Sequence, residues 1–165
     1  MEVSFMSTFK NHSYLSALIL MASSRLQSEF KRLQLMPPRY MFVDFDGIDL
    51  SEWDTCMIGP PGSPYEACLF HVHLSVGKNY PISPPIITFN SRIFHPNISD
   101  RGLVCPDLVS KDWVHTMGIH DLMELLQDIL MSPRMERPYV MDTHAARIYT
   151  SDARAFVQEA KKVSS

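Results

Sequence analysis

We predict an α+β domain in which helices pack against an antiparallel sheet, from two observations on the sequence. First, four strand-like runs lie between residues 40 and 89 with short links between them, which is typical of an antiparallel meander. Second, the apolar residues after residue 105 recur at every third or fourth position, which indicates helices. The predicted order is therefore one helix, four strands, a loop and then further helices.

The first predicted helix is amphipathic. Charged residues, Arg25 and Glu29 among them, separate apolar residues that recur at helical spacing, namely Leu26, Phe30 and Leu33. Pro37-Pro38 ends this helix, because proline lacks the N–H that a helix interior needs.

The four predicted strands cover Tyr40 to Phe45, Glu52 to Ile58, Cys68 to Val76 and Ile86 to Phe89. Asp46-Gly47 predicts the hairpin turn between the first two. The third strand alternates strictly, so one face is apolar and the other carries His71 and His73. This histidine pair suggests a metal site, but no third ligand is placed beside it, so we predict no metal and no cofactor.

The predicted helices after the strands begin with a central one. Its apolar stripe consists of Leu122, Leu125, Leu126, Ile129 and Leu130, and Pro133 ends it. A final pair of helices follows, with Ala145 and Ile148 in one and Phe156 and Ala160 in the other. Ser151 is predicted to be the N-cap of the second helix of this pair.

Composition sets limits on partners and compartment. The chain has 165 residues, which fits one domain, and its 45% apolar content is enough for a core. The net charge of −3 does not indicate a basic surface that would bind nucleic acid. No apolar run reaches the roughly 18 residues that span a bilayer. Three cysteines without a CxxC pair favour a reducing compartment, so we expect a cytoplasmic or nuclear monomer.

Residues 1–21 are predicted to be an N-terminal extension, and residues 22–165 the folded domain. The extension contains an apolar stretch, Tyr14 to Met21, of the length found in signal peptides. Glu2 precedes this stretch and Lys10 is the one basic residue before it, which argues against a cleaved signal. We expect a peripheral helix or a flexible segment here.

Cys105 is the residue that most informs function. It follows His95 by ten residues, in a predicted loop behind the turn-forming HPN tripeptide. This setting favours an exposed, ionisable nucleophile that holds an acyl group as a thioester. The alternative is a buried small hydrophobe, the ordinary role of a free cysteine, and this is the role we expect for Cys56 and Cys68.

The motifs around this cysteine resemble those of the ubiquitin-conjugating enzymes. The resemblance covers roughly residues 22 to 165, and its motifs are Gly59-Pro60 with Ser63-Pro64-Tyr65-Glu66, Tyr80-Pro81-Ile82-Ser83-Pro84-Pro85, His95-Pro96-Asn97-Ile98, Gly102, Cys105, Trp113 and Ala145 to Tyr149. It implies the fold of that family: a four-stranded antiparallel meander sheet with an N-terminal helix, a central helix and C-terminal helices. It also implies that Cys105 accepts the carboxyl terminus of ubiquitin, or of a related modifier, from an activating enzyme. The carboxyl then passes to a substrate lysine or a ligase cysteine.

The resemblance also suggests roles for the neighbours of Cys105. Asn97 either donates a hydrogen bond to the developing oxyanion or ties the loop together. His95 and Pro96 are expected to support the turn, with proton transfer by His95 as the alternative. Asp107 either positions or deprotonates an incoming lysine or is a solvated loop carboxylate.

Partner binding is expected at Arg25, Ile82 and His115. Ile82 and the segment 114–116 replace an aromatic residue and a Ser-Pro-Ala run that dock ligases in the family. Arg137 stands where the family carries an acidic or serine gate residue. A cation there would repel the ammonium of an incoming lysine, which favours transfer to a cysteine. The different-class alternative is a catalytically silent scaffold that binds ubiquitin or a ligase.

Overall fold

The computed structural model describes residues 24–44 and 49–164. In chain order it begins with one helix and the four strands: α1 Ser24–Leu35, β1 Met41–Asp44, β2 Glu52–Ile58, β3 Leu69–Ser75 and β4 Ile86–Phe89. The remaining elements are helical: α2 Pro106–Asp112, α3 Ile119–Met131, a 3-10 helix Arg137–Tyr139, α4 Thr143–Ser151 and α5 Ala153–Val163.

The four strands form one antiparallel sheet in the order β1-β2-β3-β4, which confirms the predicted meander and the α+β class. The bounds of β2 and β4 are as predicted, and β3 is one residue shorter at each end. The predicted turn Asp46-Gly47 lies outside the described residues.

Alternation in β3 sets which face of the sheet meets the helices. Phe70, Val72 and Leu74 are at most 1% exposed, whereas His71 on the opposite face is exposed. The apolar stripe of α3 completes the core as predicted, except that Leu125 is only partly buried. The sheet and α3 thus enclose the core beneath the loop that leads to Cys105.

Two local predictions differ from the structure. Asp107, for which one interpretation was a loop carboxylate, lies in α2, whose first residue is Pro106; proline is tolerated there because the first helical N–H needs no partner. Ser151 is the last residue of α4, and the N-cap of α5 is Asp152, which accepts hydrogen bonds from the N–H groups of Arg154 and Ala155 at 3.0 Å each. Asp152 is the neighbouring residue and belongs to the same class of good N-caps.

Among the described residues, every helix is too short or too polar to cross a membrane.

Candidate active site

The turn that carries His95, Pro96 and Asn97 lies directly against Cys105. The N–H of Cys105 donates to the carbonyl oxygen of Asn97 at 3.0 Å. An isolated bridge between Ile98 and Val104 aligns the two segments. The structure therefore brings together the residues whose sequence spacing suggested one site, and it places Cys105 as the N-cap residue of α2.

The side chain of Asn97 is fully buried and makes three hydrogen bonds. Its Nδ2 donates to the carbonyl oxygens of Arg134 at 2.6 Å and Tyr139 at 2.9 Å, and its Oδ1 accepts from the N–H of Arg134 at 2.8 Å. Both amide hydrogens are thus engaged with the segment after α3. This geometry fits the loop-tying interpretation of Asn97, because neither hydrogen is left to donate to an oxyanion.

His95 supports the turn from inside the core. It is fully buried, its Nε2 lies 3.0 Å from the carbonyl oxygen of Ile129, and its Nδ1 accepts from the N–H of Asn97 at 3.0 Å. This pattern requires the proton on Nε2, and burial lowers the pKa of His95 to about 4. His95 is therefore neutral near pH 7. Pro96 is also buried, and its carbonyl oxygen accepts from the N–H groups of Met141 and Asp142.

The expectation that Cys105 is exposed is wrong for this conformation, since the residue is only 2% exposed. The 3-10 helix Arg137–Tyr139 covers it, and its Sγ lies 3.6 Å from the carbonyl oxygen of Pro138. This cover is attached through the bond from Asn97 to Tyr139 and through Lys111, whose Nζ lies 5.1 Å from the centre of the Tyr139 ring. The sulfur thus faces a polar carbonyl group rather than hydrocarbon alone.

Charged groups of both signs lie on α2 and on the segment that covers the thiol. Asp107 is exposed in the first turn of α2, and Arg137 is exposed on the 3-10 helix above Cys105. Arg134, in the segment after α3, forms an ion pair at 3.7 Å with Asp112 at the end of α2. Glu136, which precedes Arg137, is exposed as well, so the segment that covers Cys105 carries exposed charges of both signs.

Comparison with known proteins identifies the family. The family model described as "Ubiquitin-conjugating enzyme" matches residues 25–164 of the chain. The chain belongs to the ubiquitin-conjugating enzyme family. Among solved structures it is similar to a crystal structure of a candidate ubiquitin-conjugating enzyme from Plasmodium yoelii, at 28% sequence identity and a TM-score of 0.75; the match covers 85% of this chain and 90% of that one. The resemblance inferred from the sequence motifs is thereby confirmed.

Arg25 was expected to bind partners of a ubiquitin-conjugating enzyme, but here it is engaged within the chain. Its Nε donates to Glu29 at 2.7 Å, an Nη donates to the carbonyl oxygen of Met117 at 2.5 Å, and its guanidinium lies 5.5 Å from the centre of the Tyr80 ring. These contacts hold α1 against the loops on either side of it. Arg25 is about one third exposed, so part of its surface remains accessible.

Glu29 is a residue that sequence reasoning missed. Its carboxylate accepts from the hydroxyl of Tyr80 at 2.7 Å and from the N–H of Ile119 at 3.0 Å, besides pairing with Arg25. Its side chain is only 13% exposed. The sequence showed only a polar position on an amphipathic helix, and nothing in the local pattern indicated these distant partners.

Ile82 and His115 are both exposed, Ile82 at 82%. The indole N–H of Trp113 donates to the carbonyl oxygen of Pro81 at 2.8 Å and so joins the two loops that carry them. The two exposed residues thus lie on loops that are joined to each other, and their role in partner binding stays a prediction.

The two strand histidines occupy polar positions on the outer face of the sheet. His73 lies 2.9 Å from both Asp54 and Glu52, and the hydrogen bond to Asp54 is the main cause that raises its pKa. His71 Nδ1 lies 3.4 Å from the Sγ of Cys56, which is only partly buried, as is Cys68.

Among the described residues, one group could bring three ligand atoms within 4.8 Å of one another: His120, Asp121 and Glu124. Asp121 already accepts a hydrogen bond from the N–H of Gly118 at 2.8 Å. The group also lies at the N-terminus of α3, the positive end of the helix dipole, which disfavours a cation. We assign no metal there.

Proposed function

We propose that this chain is a ubiquitin-conjugating enzyme that carries ubiquitin, or a related modifier, as a thioester on Cys105. Family membership supports the reaction class, and the direct contact between Cys105 and the HPN turn is the observation that carries the assignment to this sulfur. The proposed partners are an activating enzyme, which supplies the modifier, and a ligase. The proposed location is the cytoplasm or nucleus.

The proposed chemistry is two successive acyl transfers. The thiolate of Cys105 attacks the thioester carbonyl carbon of the modifier on its activating enzyme, so that a new S–C bond forms and the activating enzyme's sulfur leaves as a thiolate. An acceptor nitrogen or sulfur then attacks the same carbon, and Cys105 leaves as a thiolate. Any proton on the acceptor passes to a nearby base or to water. We propose Asp107 as a group that orients an amine acceptor.

Loading requires the cover over Cys105 to move. The 3-10 helix Arg137–Tyr139 must swing away before a carbonyl carbon can reach the sulfur, because the carbonyl oxygen of Pro138 lies beside the Sγ. We propose that Asn97 positions this segment, and that its role in the chemistry is to set where the cover rests.

We further propose that the loaded protein prefers a cysteine acceptor. Arg137 is exposed on the cover and repels an ammonium group, whereas it attracts a thiolate. Charging the protein with the modifier and adding free lysine or free cysteine tests this preference. Rapid discharge by lysine contradicts it, and faster lysine discharge in Arg137→Ser supports it.

The direct test of function is a charging assay with ubiquitin, activating enzyme and ATP, analysed on a non-reducing gel. We expect an adduct that a thiol reductant removes, that Cys105→Ala abolishes and that Cys56→Ala leaves intact. Cys105→Ser should give an ester that resists the reductant. No adduct with ubiquitin or any related modifier overturns the proposal.

The second candidate function is a non-catalytic scaffold that uses this fold to bind ubiquitin or a ligase. The burial of Cys105 at 2% exposure is the observation that favours it. A protein that forms no adduct but binds ubiquitin or a ligase in a pull-down, equally well as wild type and as Cys105→Ala, would support the scaffold.

A further inference from the structure

The structure contains a cavity whose lining includes neither Cys105 nor the segment that covers it. Its volume is about 340 Å³, and it opens between the end of β4, the turn 99–102 and the end of α5. Its apolar lining residues are Phe89, Ile93 and Val163. A cavity of this volume lies at the lower end of the range of small-molecule sites.

Two serine hydroxyls of the cavity wall have hydrogens available for a ligand. Ser91 Oγ accepts from the N–H of His71 at 2.8 Å, and Ser99 Oγ accepts from the N–H of Leu103 at 3.0 Å. Neither hydroxyl donates to an acceptor among the described residues. Because each oxygen is fixed by a backbone donor, its own hydrogen is free to point into the cavity.

Two arginines complete a wall that is rich in donors. Arg92 and Arg101 both line the cavity and are exposed. Within residues 24–44 and 49–164, neither guanidinium makes an ion pair or a side-chain hydrogen bond. One carboxylate, that of Asp100, lies on the same wall, so the three charges leave an excess of one positive charge on a chain whose net charge is −3.

The turn that carries part of this wall is held in place before any ligand binds. Gly102 donates from its N–H to the carbonyl oxygen of Ser99 at 2.9 Å and accepts from the N–H of Phe89 at 2.8 Å. Its φ of +83° and the approach of the Phe89 carbonyl leave no room for a side chain. The backbone of this turn is therefore preorganised, which lowers the entropic cost of ordering it on binding.

We propose that this cavity binds a phosphate group, either as the free ion or as the phosphate monoester of a phosphorylated serine in a peptide. Two guanidiniums and two hydroxyl hydrogens offer donors from several directions, which suits the oxygens of a tetrahedral dianion. The apolar lining residues would contact the carbon atoms of a phosphoserine. This site is separate from Cys105, and the proposal does not depend on thioester chemistry.

The test is a titration of the full chain, labelled with ¹⁵N, at pH 7.5 and constant ionic strength. The probes are sodium phosphate, a short phosphoserine peptide and its unphosphorylated form, with sodium chloride as the reference. The amide signals of Gly102 and Ser99 report binding. We expect saturable shifts with both phosphate probes and none with the unphosphorylated peptide. Whichever probe binds with the higher affinity, free phosphate or the phosphoserine peptide, identifies the source of the phosphate group.

Variants separate a defined site from general attraction of anions. Arg92→Gln and Arg101→Gln should each weaken phosphate binding by about tenfold or more, since each removes a charge-assisted hydrogen bond. Asp100→Asn should strengthen binding several-fold because it removes the competing carboxylate. Arg154→Gln, an exposed arginine on α5 outside the cavity, is the matched control and should bind like wild type. Shifts that stay linear without saturation, or equal affinity in Arg92→Gln and Arg154→Gln, overturn the proposal.

Discussion

Replacing Asn97 by alanine distinguishes its two interpretations. The change removes three hydrogen bonds, to the carbonyl oxygens of Arg134 and Tyr139 and from the N–H of Arg134, all in a fully buried site. At about 1 kcal/mol net for each bond, the free energy of unfolding should fall by about 3 kcal/mol. For a chain of this length that corresponds to a fall in Tm of roughly 6–12 °C.

The assay is urea unfolding followed by tryptophan fluorescence, with Asn90→Ala as the control. Asn90 is exposed and its side chain makes no hydrogen bond among the described residues, so its replacement should change the free energy of unfolding by less than about 0.5 kcal/mol. A role limited to oxyanion stabilisation predicts a different result, in which activity falls and stability does not. If Asn97→Ala unfolds at the same urea concentration as wild type, the loop-tying interpretation is refuted.

Three further changes test other parts of the structure. Lowering the pH from 7 towards 4 should reduce the free energy of unfolding by about 3 kcal/mol through His95. The reason is that this histidine binds a proton near pH 6.5 in the unfolded chain but only near pH 4 in the folded one. Urea unfolding at each pH measures the loss. Gly102→Ala should destabilise far more than Gly62→Ala, since both glycines have positive φ but only at Gly102 would the new Cβ meet a carbonyl oxygen, at 2.0 Å. Glu29→Gln should lower the free energy of unfolding by about 2–4 kcal/mol, because it leaves partly buried donors without their charged acceptor.

Each of these three has its own control. The loss of stability between pH 7 and pH 4 should disappear in His95→Gln. If the stability of this variant still falls with pH, the loss belongs to another group. Equal melting temperatures for the two glycine variants would contradict the close approach to Phe89. The control is Glu159→Gln, because Glu159 makes a 4.0 Å ion pair with Lys162 at the surface, and this variant should hardly change the free energy of unfolding. If it lowers that free energy as much as Glu29→Gln does, the contacts of Glu29 do not matter.

The sheet could be predicted because alternation is a direct consequence of strand geometry. Phe70, Val72 and Leu74 had to share one face once the segment was a strand. The helix α2 could not be predicted in the same way. It has seven residues, of which only Leu108 and Val109 are buried, so apolar residues do not recur in it at helical spacing.

The site could be predicted only as far as its residues are neighbours in the chain. The spacing of the HPN turn and Cys105 indicated one site, and the structure joins them. The partners of Asn97 lie 37 and 42 residues away, and those of Glu29 lie 51 and 90 residues away. Such bonds depend on how loops meet after folding, so neither the cover over Cys105 nor the position of Glu29 left a local signal.

Acyl transfer at the buried Cys105 requires the cover to open, and the contacts that hold the cover set the cost of opening. Opening the segment Arg137–Tyr139 breaks the bond from Asn97 to Tyr139, which is worth about 1 kcal/mol. It also ends the contact of Lys111 with the Tyr139 ring, worth about 0.5–1 kcal/mol. These two contacts alone cost about 2 kcal/mol, and opening also ends the packing of Tyr139 against the core and the contact of the Sγ with Pro138. The open population is therefore below about one molecule in thirty. We infer that the proposed acyl transfer at Cys105 proceeds from this minor open state and that the cover slows loading by about thirtyfold or more.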